Sequence, residues 1–164
     1  MTYTKADERR MNELREEPLD DAHLEELIGL LLAGAIRRQL WLLFLDEDDR
    51  LSEAIMPTDD FPHDPHEPNI VDDLGPVTAA HLIAARMPLV LEAVGAAALV
   101  LVWEREGTAD FEREELAWAA AMAEALRLQE VPLRAQFLLH DDGVRPLTPD
   151  DYAPVGAGRG GGPA

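Results

Sequence analysis

Two short, nearly unbroken apolar runs constrain this chain more than anything else in it. Gln39 to Leu45 reads QLWLLFL, and Ala97 to Trp103 reads AALVLVW. A strand covered on both faces has this appearance, and seven residues with aromatic and branched side chains suit a buried strand. Each run has a charged end. Asp46-Glu47-Asp48-Asp49 follows the first and allows Leu51 to Met56 to return as an antiparallel partner. A third strand is expected from Leu133 to Leu139, with Asp141-Asp142-Gly143 as a hairpin turn and Val144 to Leu147 as its return.

Helical spacing fills the stretches between. Asp20 and Asp21 are candidate N-caps, and Leu24, Leu27, Ile28, Leu31 and Ile36 recur at helical intervals. That helix is expected to end near Arg37 and Arg38, where cations suit the negative dipole end. A second helix is expected from Val77 to Val94, with Pro76 at its start, Pro88 kinking or dividing it and Gly95 ending it. A third runs from an Asp110 cap to about Gln129, with Phe111, Leu116, Ala119, Ala120, Ala123 and Leu126 inward and Pro132 as the stop. The stretch 57–69, PTDDFPHDPHEPN, is acidic and Pro-rich and reads as loop. The order α, β, β, loop, α, β, α, β, β implies an α/β (α+β) domain, three-layer-like, with a mixed β-sheet flanked by helices. Its expected limits are 20–151, between a polar N-terminal tail at 1–19, read as either disordered or a frayed helix, and a disordered Gly-rich tail at 152–164.

Composition narrows the function classes. The net charge is -19 in 164 residues, which disfavours direct binding to nucleic acid or an anionic membrane and favours a basic protein or a cation. There is no cysteine, so thiol nucleophiles, disulfides and thiolate zinc sites are excluded. The N-terminus carries no apolar signal core. The longest apolar stretch, Leu89 to Trp103, is broken by Glu92 and falls short of the ~20 residues needed to cross a bilayer. A soluble, cytoplasmic protein is the expectation.

Chemistry-bearing residues are few. His63-Asp64-Pro65-His66-Glu67, flanked by Asp59 and Asp60, could offer imidazole and carboxylate to a divalent cation. The prolines forbid a helix that would align the two rings, so a solvated acidic loop is the plainer reading. His81 has no paired histidine at i+4. His140 stands beside Asp141 and Asp142, but a Ser-His-Asp triad would need Ser52, the only serine in the chain. Gly156-Ala157-Gly158-Arg159-Gly160 lacks the strand, helix and lysine of a phosphate loop. Trp41, Trp103 and Trp118 fall in regular elements, where packing is expected. Glu104, Glu106, Glu112, Glu114 and Glu115 flank a strand end and a helix start, where acids favour the dipole.

The runs LWLLFLDEDDRLSEAIM and GAAALVLVWEREGTADFEREELAWAAAMAEALRLQEVPLRAQFLLHDDG resemble the RadC-type branch of the JAB/MPN metalloprotease-like fold. The resemblance covers roughly residues 36–147 and includes the order of elements. Enzymes of that family bind zinc through His-x-His at a strand end and an Asp in the next helix, with a Ser three residues before it and an upstream general-base Glu. Read without gaps, the histidine positions fall on Val102 and Glu104, the serine on Glu112 and the aspartate on Glu115. Glu53 lies near the general-base position. A shift of one residue supplies no histidine either. The resemblance therefore implies a catalytically inactive JAB/MPN-like domain, without cofactor or metal, that acts by binding a protein partner, and the acidic surface favours a basic one. The loop residues Asp59, Asp60, His63, Asp64, His66 and Glu67 are the candidate contact region. Two other readings stand beside it. One is a hydrolase with an unorthodox metal site near His63, His66 and Glu104. The other is an acidic mimic of nucleic acid.

Overall fold

The computed structural model describes residues 4–157. Five strands form one mixed sheet. β1 (Gln39–Leu45), β2 (Leu51–Thr58), β5 (Ala98–Glu104), β6 (Leu133–His140) and β7 (Gly143–Pro146) lie in the order β2-β1-β5-β6-β7. Only β5 and β6 run parallel; the other neighbours are antiparallel. The parallel pair is joined by α4 (Arg113–Leu128), as a crossover connection requires. β3 (Pro68–Val71) and β4 (Gly75–Thr78) make a separate two-stranded hairpin before α3 (Ala79–Val94).

Period-two alternation sorts the sheet into two cores. Leu40, Leu42 and Phe44 of β1 and Leu99, Leu101 and Trp103 of β5 pack against α3 and α4. Leu43, Leu45, Val100, Val102, Phe137 and Leu139 pack on the other face against α2 (Asp21–Leu31) and Leu14 of α1 (Lys5–Arg15). The result is three layers, with β1 and β5 buried on both faces, which is why their sequences are continuous rather than alternating.

The structure corrects several sequence-based boundaries. Residues 5–15, within the polar tail read as disordered or a frayed helix, form the capped helix α1, with a reciprocal capping box between Thr4 and Asp7. Leu14 and Leu19 are buried, and Arg10 donates twice to Glu26 of α2 at 2.8 and 3.0 Å. α2 begins at the expected Asp20 cap, which accepts from the His23 N–H, but stops at Leu31. Ile36, placed inward by helical spacing, is 72% exposed. Pro88 does not divide α3, because it stands on the exposed side while Ala80, Ala84, Met87 and Leu91 hold the other side in the core. Gly95 ends that helix at φ 72, a left-handed conformation glycine adopts at no steric cost. α4 is capped at Glu112 rather than Asp110. The tail expected from 152 onward is helical as far as Ala157 in α5 (Pro149–Ala157); its remainder, 158–164, lies outside the described residues. Among the described residues no helix is long and apolar enough to cross a membrane.

Candidate functional site

The C-terminal end of β5 and the first turn of α4 border a cleft of about 250 Å³ that the loop 59–67 helps to wall. Of the four positions assigned by the family resemblance, Glu104, Glu112 and Glu115 border this cleft and Val102 does not, and the Glu104 and Glu115 carboxylates are turned to different partners. Val102 is fully buried on the α1–α2 face of the sheet. Glu104 is two residues on, so its side chain takes the same face. Glu112 and Glu115 belong to α4, which covers the opposite face. On a strand the residues that point toward α4 here are Trp103 and Arg105, one register step from those read without gaps.

Glu104 is 3% exposed and already saturated. Its Oε2 accepts the backbone N–H groups of Ile36 at 2.7 Å and Arg37 at 3.1 Å. Its Oε1 accepts Gln39 Nε2 at 2.9 Å and the Trp41 indole N–H at 2.7 Å. A buried carboxylate needs such donors, and these four come from the chain entering β1. Beyond the end of α2, residues 36 and 37 give their N–H groups to Glu104 instead of to a helix.

Glu115 is satisfied by a cation already in the chain. Arg105 Nε and one terminal nitrogen donate to its two oxygens, both at 2.8 Å, and the Glu112 N–H adds a third bond at 2.8 Å. The same guanidinium donates to the carbonyls of Thr108 and Asp110, both at 2.6 Å. The β5–α4 connection is thus wrapped around one arginine. Its pKa is raised above the ordinary value, first by the hydrogen bond to Glu115, against an opposing desolvation.

Arg38 performs the parallel task for the loop. It pairs with Glu114 through Nε at 2.8 Å and donates to the carbonyls of Phe61 at 2.7 Å and Pro62 at 3.0 Å. Its guanidinium lies 3.9 Å above the Phe61 ring, and Trp118 Nε1 donates to Pro62 at 3.0 Å. Phe61 fills the gap beside Trp103 and Trp118, at centroid distances of 5.8 and 5.3 Å. Such edge-on aromatic pairs each add about 0.5–1.5 kcal/mol beyond area burial. Arg38, Arg105, Phe61 and Glu114 carry the architecture of this region. Their only sequence signal was position: an arginine immediately before one strand and another immediately after a second.

The alternative chemistries are not assembled. His63 Nδ1 contacts Glu114 Oε1 at 2.7 Å, while both oxygens of Glu104 are occupied by N–H donors. Among the described residues no group of three or more His, Asp or Glu side chains could hold a metal ion. Ser52 and His140 stand on β2 and β6, with β1 and β5 between them. Three spacings of ~4.8 Å separate them by at least about 14 Å across the sheet, and the register sets them at opposite ends of β5, too far for a nucleophile and its base. His140 Nδ1 accepts the Asp142 N–H at 3.2 Å within its own turn. Glu53 is exposed on β2. The six contact candidates Asp59, Asp60, His63, Asp64, His66 and Glu67 are all exposed, whereas Phe61 and Pro65 between them are buried. The fold and this region together define a mixed α/β domain in which the strand-end carboxylate Glu104 is held by N–H donors and the helix-start carboxylates Glu114 and Glu115 are paired with Arg38 and Arg105. No protein-family model matches the chain, and no curated protein matches it.

Proposed function

We propose that this protein is a catalytically inactive JAB/MPN-like module that binds a basic protein partner through the acidic loop 59–67, in a cytoplasmic setting. The observation that carries the reading is the loop's construction. Phe61, Pro62 and Pro65 are fastened by core packing, Arg38 and Trp118, and every acidic or histidine side chain between them is turned to solvent. A contact surface held in shape before binding loses less entropy on association. Two further bonds fix its far end: the N–H groups of Ala80 and Ala79 donate to Pro65 and Glu67. The JAB/MPN-like part of the proposal rests on the resemblance of residues 36–147, whose strand pair, helix, strand, helix, strand pair occurs here with a small hairpin added. The mimic reading has less support, because exposed acids stand on α1, the β1–β2 turn, the loop and α5 alike.

Zero-length carbodiimide coupling suits the test. It joins carboxylates to a partner's lysines, and Lys5 is this chain's only lysine. Coupling in a native lysate is expected to place the partner on residues 59–67. Capture should fall at least tenfold when Asp59, Asp60 and Asp64 become Asn and Glu67 becomes Gln. Unchanged capture by that variant, or one equivalent of zinc in the purified protein, would overturn the proposal.

A further inference from the structure

A second cavity lies away from the loop, beside β6 and β7. It measures about 530 Å³ and opens between the start of α2, the first half of β6 and the start of α5. Leu24, Leu133, Ala135, Phe137, Leu147 and Tyr152 form its apolar walls. The reason for the opening is a mismatch of strand lengths. β6 runs from Leu133 to His140, but β7 pairs only with Phe137 to His140. Leu147 N–H donates to the Gln136 carbonyl at 2.9 Å, and no strand lies beyond Leu133 to Ala135 on that side.

The rim is acidic. Asp21, at 94% side-chain exposure, and Glu25 border the cavity; its one lining cation is engaged with Asp21, which leaves Glu25 as the excess negative charge. Arg134 pairs with Asp21 at 2.8 Å and donates to the Leu19 carbonyl at 3.3 Å. This charge pattern selects among occupants. An anionic ligand meets carboxylates with no unengaged cation beside them. A second copy of the chain brings another net charge of -19 and is repelled. A cationic segment is attracted, and the apolar walls ask that it also carry aliphatic or aromatic side chains. An extended strand end with an open side is a known seat for such segments.

We infer that the cleft between α2, β6 and α5 is a second docking surface, which receives an extended partner segment alternating basic and apolar residues. The inference rests on the protein-binding reading only in taking a protein as the occupant; the surface is separate from the loop. Charge complementarity decides the chemistry of the occupant.

The probe is an acetylated six-residue peptide alternating arginine with valine and phenylalanine. It is titrated into the ¹⁵N-labelled full chain at about physiological salt, where non-specific attraction is screened. Amide shifts are expected at Leu133–Gln136 and Leu147–Tyr152. The dissociation constant should rise at least tenfold in Ala22→Trp, which blocks the cleft mouth from an exposed helix position, and about threefold in Glu25→Gln. A control peptide with serine at the apolar positions should bind at least tenfold more weakly. Equal binding of that control, shifts confined elsewhere, or concentration-dependent shifts of the same amides without peptide overturn the inference. Shifts confined to 59–67 remove the cleft and leave the loop proposal standing. Cleft shifts together with unchanged partner capture by the neutralised loop remove the loop proposal and leave the cleft.

Discussion

Glu104 shows how a carboxylate at the right place in a sequence can be chemically unavailable. Four N–H donors surround it, so a metal or substrate would have to displace all of them. Its replacement by leucine is expected to lower stability by about 3 kcal/mol, because the Gln39 and Trp41 donors lose their acceptor away from water. Glu104→Gln, which keeps one acceptor, should cost about 1–2 kcal/mol. Urea midpoints at constant m-value measure both, and a leucine variant as stable as the parent would refute the saturation argument. The same residue marks the limit of reading this site from sequence. Spacing along the chain placed Val102 and Glu104 with Glu115, but a strand turns alternate residues to opposite faces, and only the packing of α4 reveals which face is meant. Tyr152 allows a test at high pH. Burial raises its pKa, partly opposed by a hydrogen bond with Gln136. The folded state therefore holds the phenolic proton at pH values where the unfolded chain, near 10, has released it. Stability from this group is present below pH ~10 and lost as pH rises toward the folded value. Tyr152→Phe should flatten the decline of the thermal midpoint between about pH 9 and 11. An unchanged slope would place the residue in water.

At the scale of elements, legibility followed the amount of apolar surface each segment buries. β1 falls at its expected limits, and β5 and β6 lie within one residue of theirs, because continuous apolar runs have few alternative homes. α1 was left open between disorder and a frayed helix for the opposite reason. Its sequence, KADERRMNELR, offers one buried side chain, Leu14, and takes its order from a capping box and from docking on α2. β3 and β4 contain Pro68 and Pro76, which argue against strands, yet in this isolated two-stranded hairpin they stand opposite Thr78 and Ile70. α5 was hidden by Gly and Pro in PDDYAPVGA. The loop between β2 and β3 was read as loop, but not as an anchored one, because a single phenylalanine among prolines and acids carries no periodicity. Phe61→Ala should therefore act on an entire element. Loss of a ring packed beside Trp103 and Trp118 is expected to cost about 3–4 kcal/mol. Amides in the loop, including Glu67 N–H on the Asp64 carbonyl, should then exchange faster than in the parent. Hydrogen exchange confined to global unfolding in both proteins would contradict the anchoring role.

For the molecule as a whole, the balance between local attraction and global repulsion decides how salt acts. Arg10–Glu26, Arg86–Asp73 and Arg127–Glu124 hold their carboxylates below the ordinary range, chiefly through the arginine hydrogen bond, but all three pairs lie at the surface, where screening leaves little. The arginine hubs are different. Arg105 and Glu115 have side-chain exposures of 12% and 7%, so added ions reach them poorly. What remains for salt to modify is the net charge of -19, whose self-repulsion favours the expanded chain. The Debye length falls from about 30 Å at 0.01 M to about 8 Å at 0.15 M, so most of that repulsion disappears over this range. The thermal midpoint is therefore expected to rise with sodium chloride between these concentrations, by roughly 3 °C for each ~1 kcal/mol recovered. Arg105→Ala should be destabilised by about 3 kcal/mol through the carboxylate it leaves buried and unpaired, and should keep the same salt response. A midpoint that falls with salt in the parent and not in that variant would show that the interior ion pairs, rather than surface repulsion, dominate the electrostatics of the fold.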